Sequence, residues 1–135
     1  MNYFKELFVG NMNEGKISYT ELDQHTIKVV FDGDNLKTIN IYVFFDKDGD
    51  PLVQFKCWDI LSFKGHEELG YRACNEVNNR WRWTKFYLDR DSDLNACIDA
   101  YIDARSGGRE CVNMLGRIAS IIDETYPTFT KALWG

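Results

Sequence analysis

Histidine, proline and long apolar runs are all scarce in this chain. Only two histidines and two prolines occur among 135 residues. Neither His25 nor His66 has a second histidine or a cysteine at metal-ligand spacing, and His66-Glu67-Glu68 lacks the HExxH geometry of a zinc helix. The four cysteines, Cys57, Cys74, Cys97 and Cys111, stand 17, 23 and 14 residues apart, so there is no CxxC pair. The N-terminal MNYFKELF has no basic stretch leading into an apolar run. All four thiols are therefore expected to be reduced and mostly buried, in a cytoplasmic protein. No apolar run approaches the roughly 20 residues that span a bilayer, so no membrane partner is expected. Lysine and arginine (16) are outnumbered by aspartate and glutamate (21), giving a net charge of -5. That balance opposes a phosphate-neutralising grip on nucleic acid. The serines lack a nucleophile-elbow context, Gly107-Gly108-Arg109 lacks the Lys-Ser/Thr of a phosphate loop, and no two carboxylates can be paired into a general acid and base. No catalytic residue, cofactor or metal is assigned, and no enzyme is expected.

Aromatic residues, in contrast, are plentiful at 15%, within 44% apolar and 27% charged residues. This is the composition of a folded globular protein, and 135 residues suit one domain over 1–135. Asn2 can cap a first helix carrying Phe4, Leu7 and Phe8 and ending near 13–15. From Thr26 the hydrophobic period becomes two, with Ile27, Val29 and Phe31 alternating against Lys28, Val30 and Asp32. Further strands are predicted over 37–45 and 52–58, joined by the turn DKDGD at 46–50, with Pro51 kept to a strand start. Leu69, Ala73, Val77 and Trp81 make an i, i+4 stripe and so a helix over 67–81. Strands over 83–89 and 94–102 follow, joined by an Asp-rich turn at 90–93. After the Gly107-Gly108 break, Cys111, Leu115, Ile118 and Ile122 mark a helix to about Tyr126, and Pro127 suits the first turn of a separate short helix bearing Phe129 and Leu133. The expected fold is α+β, a single antiparallel five-stranded sheet with helices in the order α-βββ-α-ββ-α(α).

This order resembles the fold of type III secretion chaperones. The stretch Asn75, Val77, Asn78, Trp83, Lys85, Phe86, Tyr87, Leu88, Asp89, Asp91, Asp93 and Leu94 resembles the centre of YbjN-type domains, and the Gly107-Gly108 break fits as well. Trp81 and Trp83 in tandem depart from that pattern. The resemblance implies a member of a family described as putative bacterial sensory transduction regulators, which brings no catalytic residues with it.

Two motifs invite a chemical reading and have a simpler one. DKDGD and DRDSD look like openings of calcium loops, but Cys57 and Ala100 stand where an EF-hand needs its bidentate glutamate, and strands follow both loops. Asp and Gly are also what a hairpin turn requires. Arg80, Arg82 and Lys85 interleave with Trp81 and Trp83, as a single-strand nucleic-acid platform would, but the acidic surroundings oppose that reading. The aromatic alternation is more informative. If Ile39, Ile41, Val43, Phe45, Val53, Phe55, Phe86, Leu88, Ala96 and Ile98 face the helices, then Tyr42, Phe44, Trp58, Trp83, Tyr87 and Tyr101 point the other way. Such a face suits a protein partner or a second copy of the chain, unless the terminal helix or the segment before Thr26 covers it. The sequence therefore suggests a non-catalytic protein-binding module. The alternatives are a chaperone of the secretion type and a small-ligand sensor with Trp81 and Trp83 in a pocket between helix and sheet.

Overall fold

Asn2 opens the first helix by capping it. In the computed structural model, which describes residues 2–135, its side-chain oxygen accepts from the amides of Phe4 and Lys5 at 2.8 and 3.3 Å. Helix α1 then runs Tyr3–Glu14 and buries Phe8 and Met12. Strands β1 (Thr20–Asp23), β2 (Thr26–Asp32), β3 (Thr38–Phe45) and β4 (Leu52–Ser62) follow, then α2 (Glu67–Arg80), β5 (Lys85–Leu88), β6 (Asp93–Tyr101) and α3 (Arg109–Trp134). The six strands form one sheet in the order β1-β2-β3-β4-β6-β5, and every neighbouring pair is antiparallel.

The sheet thus has six strands where the sequence pattern predicts five. The extra strand, β1, reads TELD and is exposed at all four positions. Nothing in its side chains announces a strand. Its pairing with β2 is a matter of backbone hydrogen bonds at an edge, where burial imposes no alternation. Two boundaries also move. β4 extends past Trp58 through a bulge between Cys57 and Leu61, with Asp59 at φ 56°. β5 starts at Lys85 instead of 83, because Trp83 has φ 79° and Thr84 closes a tight turn onto the Arg82 carbonyl.

All three helices lie on one face of the sheet. From α1, Phe8 meets Phe45 and Phe55 with ring centroids 5.3 and 6.1 Å apart. From α3, Phe129 meets Phe86 at 5.1 Å. Ile39, Ile41, Val43, Val53, Phe55, Phe86, Leu94 and Ala96 are buried on this side, and Leu88 and Ile98 pack against them, as the alternation requires. Helix α2 is rotated from its expected stripe. It buries Gly70, Ala73, Cys74 and Val77, while Leu69 is exposed. Gly70 lets the helix sit this close, since a Cβ there would fall 2.6 Å from Leu88 Cδ1 and 2.8 Å from Phe63 Cγ. α2 also closes the β5 edge. Asn78 donates to the Phe86 carbonyl at 3.0 Å and accepts from the Phe86 amide at 2.8 Å, occupying backbone groups that another strand would otherwise pair with.

The last helix does not break at Pro127. It is continuous over Arg109–Trp134, in place of the two helices expected. Proline cannot donate to the carbonyl four residues back, which is that of Asp123. The Asn35 side-chain amide supplies the missing donor, at 3.1 Å. Buried Phe129 and the partly buried Tyr126 and Leu133 then hold the helix to the core on both sides of the proline. The Asp123 carboxylate serves the same turn, accepting from the amides of Asp34, Asn35 and Leu36 at 3.1, 2.8 and 2.9 Å. The Leu36 bond is the largest influence holding this carboxyl below its ordinary pKa. A depressed carboxyl stabilises the fold above its unfolded pKa, near 4, and the contribution disappears as pH falls through the lower folded value. Asp123→Asn should therefore lower the urea midpoint at neutral pH, and the gap to the parent chain should narrow steadily below pH 4. A gap that stayed constant with pH would contradict this role.

Candidate functional site

The face opposite the helices carries the residues that the alternation sends outward. Strand pairing places Lys28 opposite Tyr42, Tyr42 opposite Lys56, Lys56 opposite Cys97 and Cys97 opposite Lys85. Directly opposed residues share a face. One row, Lys28-Tyr42-Lys56-Cys97-Lys85, therefore crosses five strands. Beside it lies the row Phe44-Gln54-Asp99, in which the Gln54 amide donates to Asp99 at 3.2 Å.

Three aromatics converge over these rows. Trp58 stacks on Tyr42 with centroids 4.8 Å apart and planes at 29°, and lies 5.6 Å from Phe44. Trp58 remains 41% exposed, while Tyr42 and Phe44 are half-buried. Lys28 Nζ stands 5.8 Å from the Tyr42 ring centroid and Lys56 Nζ 5.4 Å from that of Phe44, within the range of cation-π attraction. The other three expected residues lie outside this cluster. Tyr87 is half-buried and faces Asn95 across the β5-β6 pair. Tyr101 is 72% exposed at the end of β6, opposite Leu52. Trp83 is 60% exposed, but it belongs to the turn before β5 and is not placed by strand alternation. Neither possible cover is present among the described residues, because α3 packs on the helix side and β1 lies at the edge beside β2.

A bulge sets the position of Trp58, and one buried side chain holds the bulge. Asn95 is 3% exposed. Its oxygen accepts from the Asp59 amide at 2.9 Å, and its amide donates to Asp89 at 2.9 Å. Asp59, Asp89 and Asp93 consequently bring carboxylate oxygens within 4.8 Å of one another. Asp89 is bound into the scaffold by its hydrogen bonds. Asp89 accepts from Asn95 and from the amides of Asp91 and Asp93, and the Asn95 bond is the leading cause of its lowered pKa. Asp93 is raised, chiefly by desolvation and then by Asp59. In the other acidic turn, Asp46 accepts from the amides of Asp48 and Asp50 at 2.9 and 3.1 Å. Both Asp-rich loops thus spend their first aspartate on their own turn.

Three of the four cysteines behave as core residues. All four are free, and Cys57, Cys74 and Cys111 are buried. Burial pushes Cys57 up to about 12, and Cys74 and Cys111 up to about 11. Half-buried Cys97 is raised too, again chiefly by desolvation, with Lys85 and Lys56 opposing it. Protonated thiols are poor nucleophiles. Trp81 and Trp83 do not form a joint pocket wall, since Trp81 packs against the core while Trp83 faces outward. A groove of about 370 Å³ lies instead between α1 and the segment leading through β1, lined by Lys5, Glu6, Val9, Tyr19, Glu21 and Gln24. The Lys5 ammonium there is committed to Glu21 at 2.7 Å and to the carbonyls of Asp23 and Gln24 at 3.4 and 2.9 Å. No helix is long and apolar enough to cross a membrane among the described residues.

The row of lysines was not legible in the sequence. Lys28, Lys56 and Lys85 become neighbours of one surface only because β4 pairs with β6 and leaves β5 at the edge. Comparison with known proteins adds one finding. No curated protein matches the chain, but the model of the YbjN family, described as "Putative bacterial sensory transduction regulator", matches residues 61–131. That span runs from the bulged end of β4 through α2, the β5-β6 hairpin and most of α3. Covering more than half of the sequence, it establishes that the chain belongs to the YbjN family.

Proposed function

We propose that this chain is a non-catalytic regulatory module that holds another protein against the outer face of its sheet. The observation that carries this reading is the Tyr42-Trp58-Phe44 cluster, in which Trp58 meets both other rings on the face that no helix covers. Outward positions of a one-layer sheet are ordinarily polar. An aromatic group there has the composition of an interface centre, where tryptophan and tyrosine carry a large share of binding energy. Family membership supports a regulatory role, and the high pKa values of the buried thiols fit a protein without cysteine chemistry. The order of elements also resembles secretion chaperones, whose work is likewise protein binding.

Trp58→Ala is the direct test. Loss of an interface anchor costs at least about 2 kcal/mol of affinity, which is a loss of roughly thirtyfold. Partners cross-linked to the parent chain in cells should fall to background with the variant, and any self-association should fall in light scattering. Circular dichroism should be unchanged, because the ring is only partly buried. Undiminished association by an intact Trp58→Ala protein would rule the face out.

A further inference from the structure

The central row of the outer face has a charge opposite to that of the whole molecule. The chain carries -5, yet the central row presents Lys28, Lys56 and Lys85 around Tyr42 and Cys97. None of these lysines takes part in an ion pair within 4.0 Å among the described residues; the pairs formed are Lys5-Glu21, Arg72-Glu68, Arg80-Glu76 and Arg105-Asp103. In the adjoining row of the face stands Asp99, which accepts from Gln54. Asp32 lies at the far end of β2, opposite Thr38, and the carboxylates of Asp59, Asp89 and Asp93 gather at the bulge. Strands lie about 4.8 Å apart, so the lysines stand roughly 10 Å from one another along a row of some 19 Å.

We infer that the partner held on this face is an acidic polypeptide segment, with an apolar or aromatic side chain seated at Trp58 and Tyr42 and carboxylates spread along the lysine row. The inference rests on the reading of this face as a protein-binding surface, and it adds the chemistry of the partner. Charge complementarity carries it: three unpaired cations flank an aromatic stack on an otherwise acidic protein, an arrangement that selects an anionic partner and speeds its approach. A second copy docked face to face by two-fold symmetry would set one lysine row against the other, which opposes that mode of dimerisation. Nucleic acid fits less well, because a polyphosphate backbone calls for a dense cationic track and this row offers three lysines roughly 10 Å apart.

The test uses the full chain immobilised and two pools of short synthetic peptides, long enough to span the row and randomised except for one tryptophan and three fixed positions. Those positions are glutamate in one pool and serine in the other. The parent chain should retain the acidic pool about tenfold more than the neutral one near 25 mM salt. The preference should shrink near 300 mM salt, where screening acts within a few ångströms. In Lys28→Gln/Lys56→Gln/Lys85→Gln it should fall close to one, since each exposed charge contact contributes about a two- to fivefold factor. The substituted side chains lie outside the core, and the variant's melting temperature checks that the fold is kept. Equal retention of the two pools overturns the inference, as does a preference that the triple variant keeps. Trp58→Ala separates this result from the underlying reading. If it abolishes retention of both pools equally, with no acidic preference in the parent, the face stands and the charge selection falls. If it leaves retention of the acidic pool intact, the face itself is wrong. Tighter binding of an oligothymidylate than of the acidic pool also overturns the inference, in favour of single-stranded nucleic acid.

Discussion

Phe55→Ala is expected to destabilise the protein by about 3–5 kcal/mol, the usual cost of emptying a fully buried aromatic site. Phe55 is 0% exposed, sits in the second central strand of the sheet and touches Phe8 of α1. Its partners across the strands are Val43 and Ile98. The void would therefore open where α1, β3, β4 and β6 all meet, and rigid strands on both sides prevent its collapse. For a chain of this length the melting temperature should fall by roughly 10–15 °C. Calorimetry checks the size of the effect, and Phe55→Leu should recover much of the loss by refilling most of the volume. A drop of only a degree or two would mean that the core beneath the outer face is not the packed one described.

Asn95→Ala should cost about 1–3 kcal/mol although it removes very little apolar surface. The side chain is buried and makes two hydrogen bonds. Its loss leaves the part-buried Asp59 amide in the bulge and the Asp89 carboxylate without their partner, and a donor stripped of its acceptor costs about 1–3 kcal/mol. The consequence reaches the site. Trp58 directly precedes Asp59, whose positive φ turns the strand, so a relaxed bulge releases the Trp58 stack on Tyr42. Asn95→Ala should accordingly weaken partner association as well as the fold, whereas Phe55→Ala should affect association only through loss of folded protein. Chemical denaturation together with binding measured on the folded fraction separates the two. An Asn95→Ala protein with parental stability would show that the amide does not hold the bulge.

Much of this architecture is readable from residue order because burial enforces a period. Ile39, Ile41, Val43 and Phe45 alternate with Asn40, Tyr42 and Phe44, and the helix side of the sheet buries the first set. Cys111, Leu115, Ile118 and Ile122 recur at helical spacing, and α3 buries all four. The family pattern around 75–94 is readable as a resemblance in specific residues, and it spans the end of α2, β5 and the turn into β6. The period fails where burial does not impose it. β1 is exposed on every residue and so escapes notice. The i, i+4 rule places Leu69 inward, but α2 turns Gly70 toward Leu88 and Phe63 to allow a close approach.

Local rules also fail where a distant residue satisfies a local defect. Pro127 reads as a helix start because proline lacks a donor, yet Asn35, far away in sequence, bonds the carbonyl that the proline leaves unpaired. The aromatic face follows the same division. That Tyr42 and Phe44 point away from the helices follows from alternation alone. That Trp58 stacks on Tyr42 and meets Phe44 while Trp83 and Tyr101 lie apart depends on a bulge and on a turn with positive φ.

The amino-acid order by itself thus determined the class of the fold and most of the inward set of strand and helix residues, because both are written in hydrophobic periods of two and 3.6, and its residue pattern over 61–131 carries membership of the YbjN family. Tertiary structure alone decided the strand order β4-β6-β5, the bulge held by Asn95 and the alignment of Lys28, Lys56 and Lys85 in one row. Strand order and register are long-range pairings between segments tens of residues apart. No period within either segment specifies which partner will lie beside it.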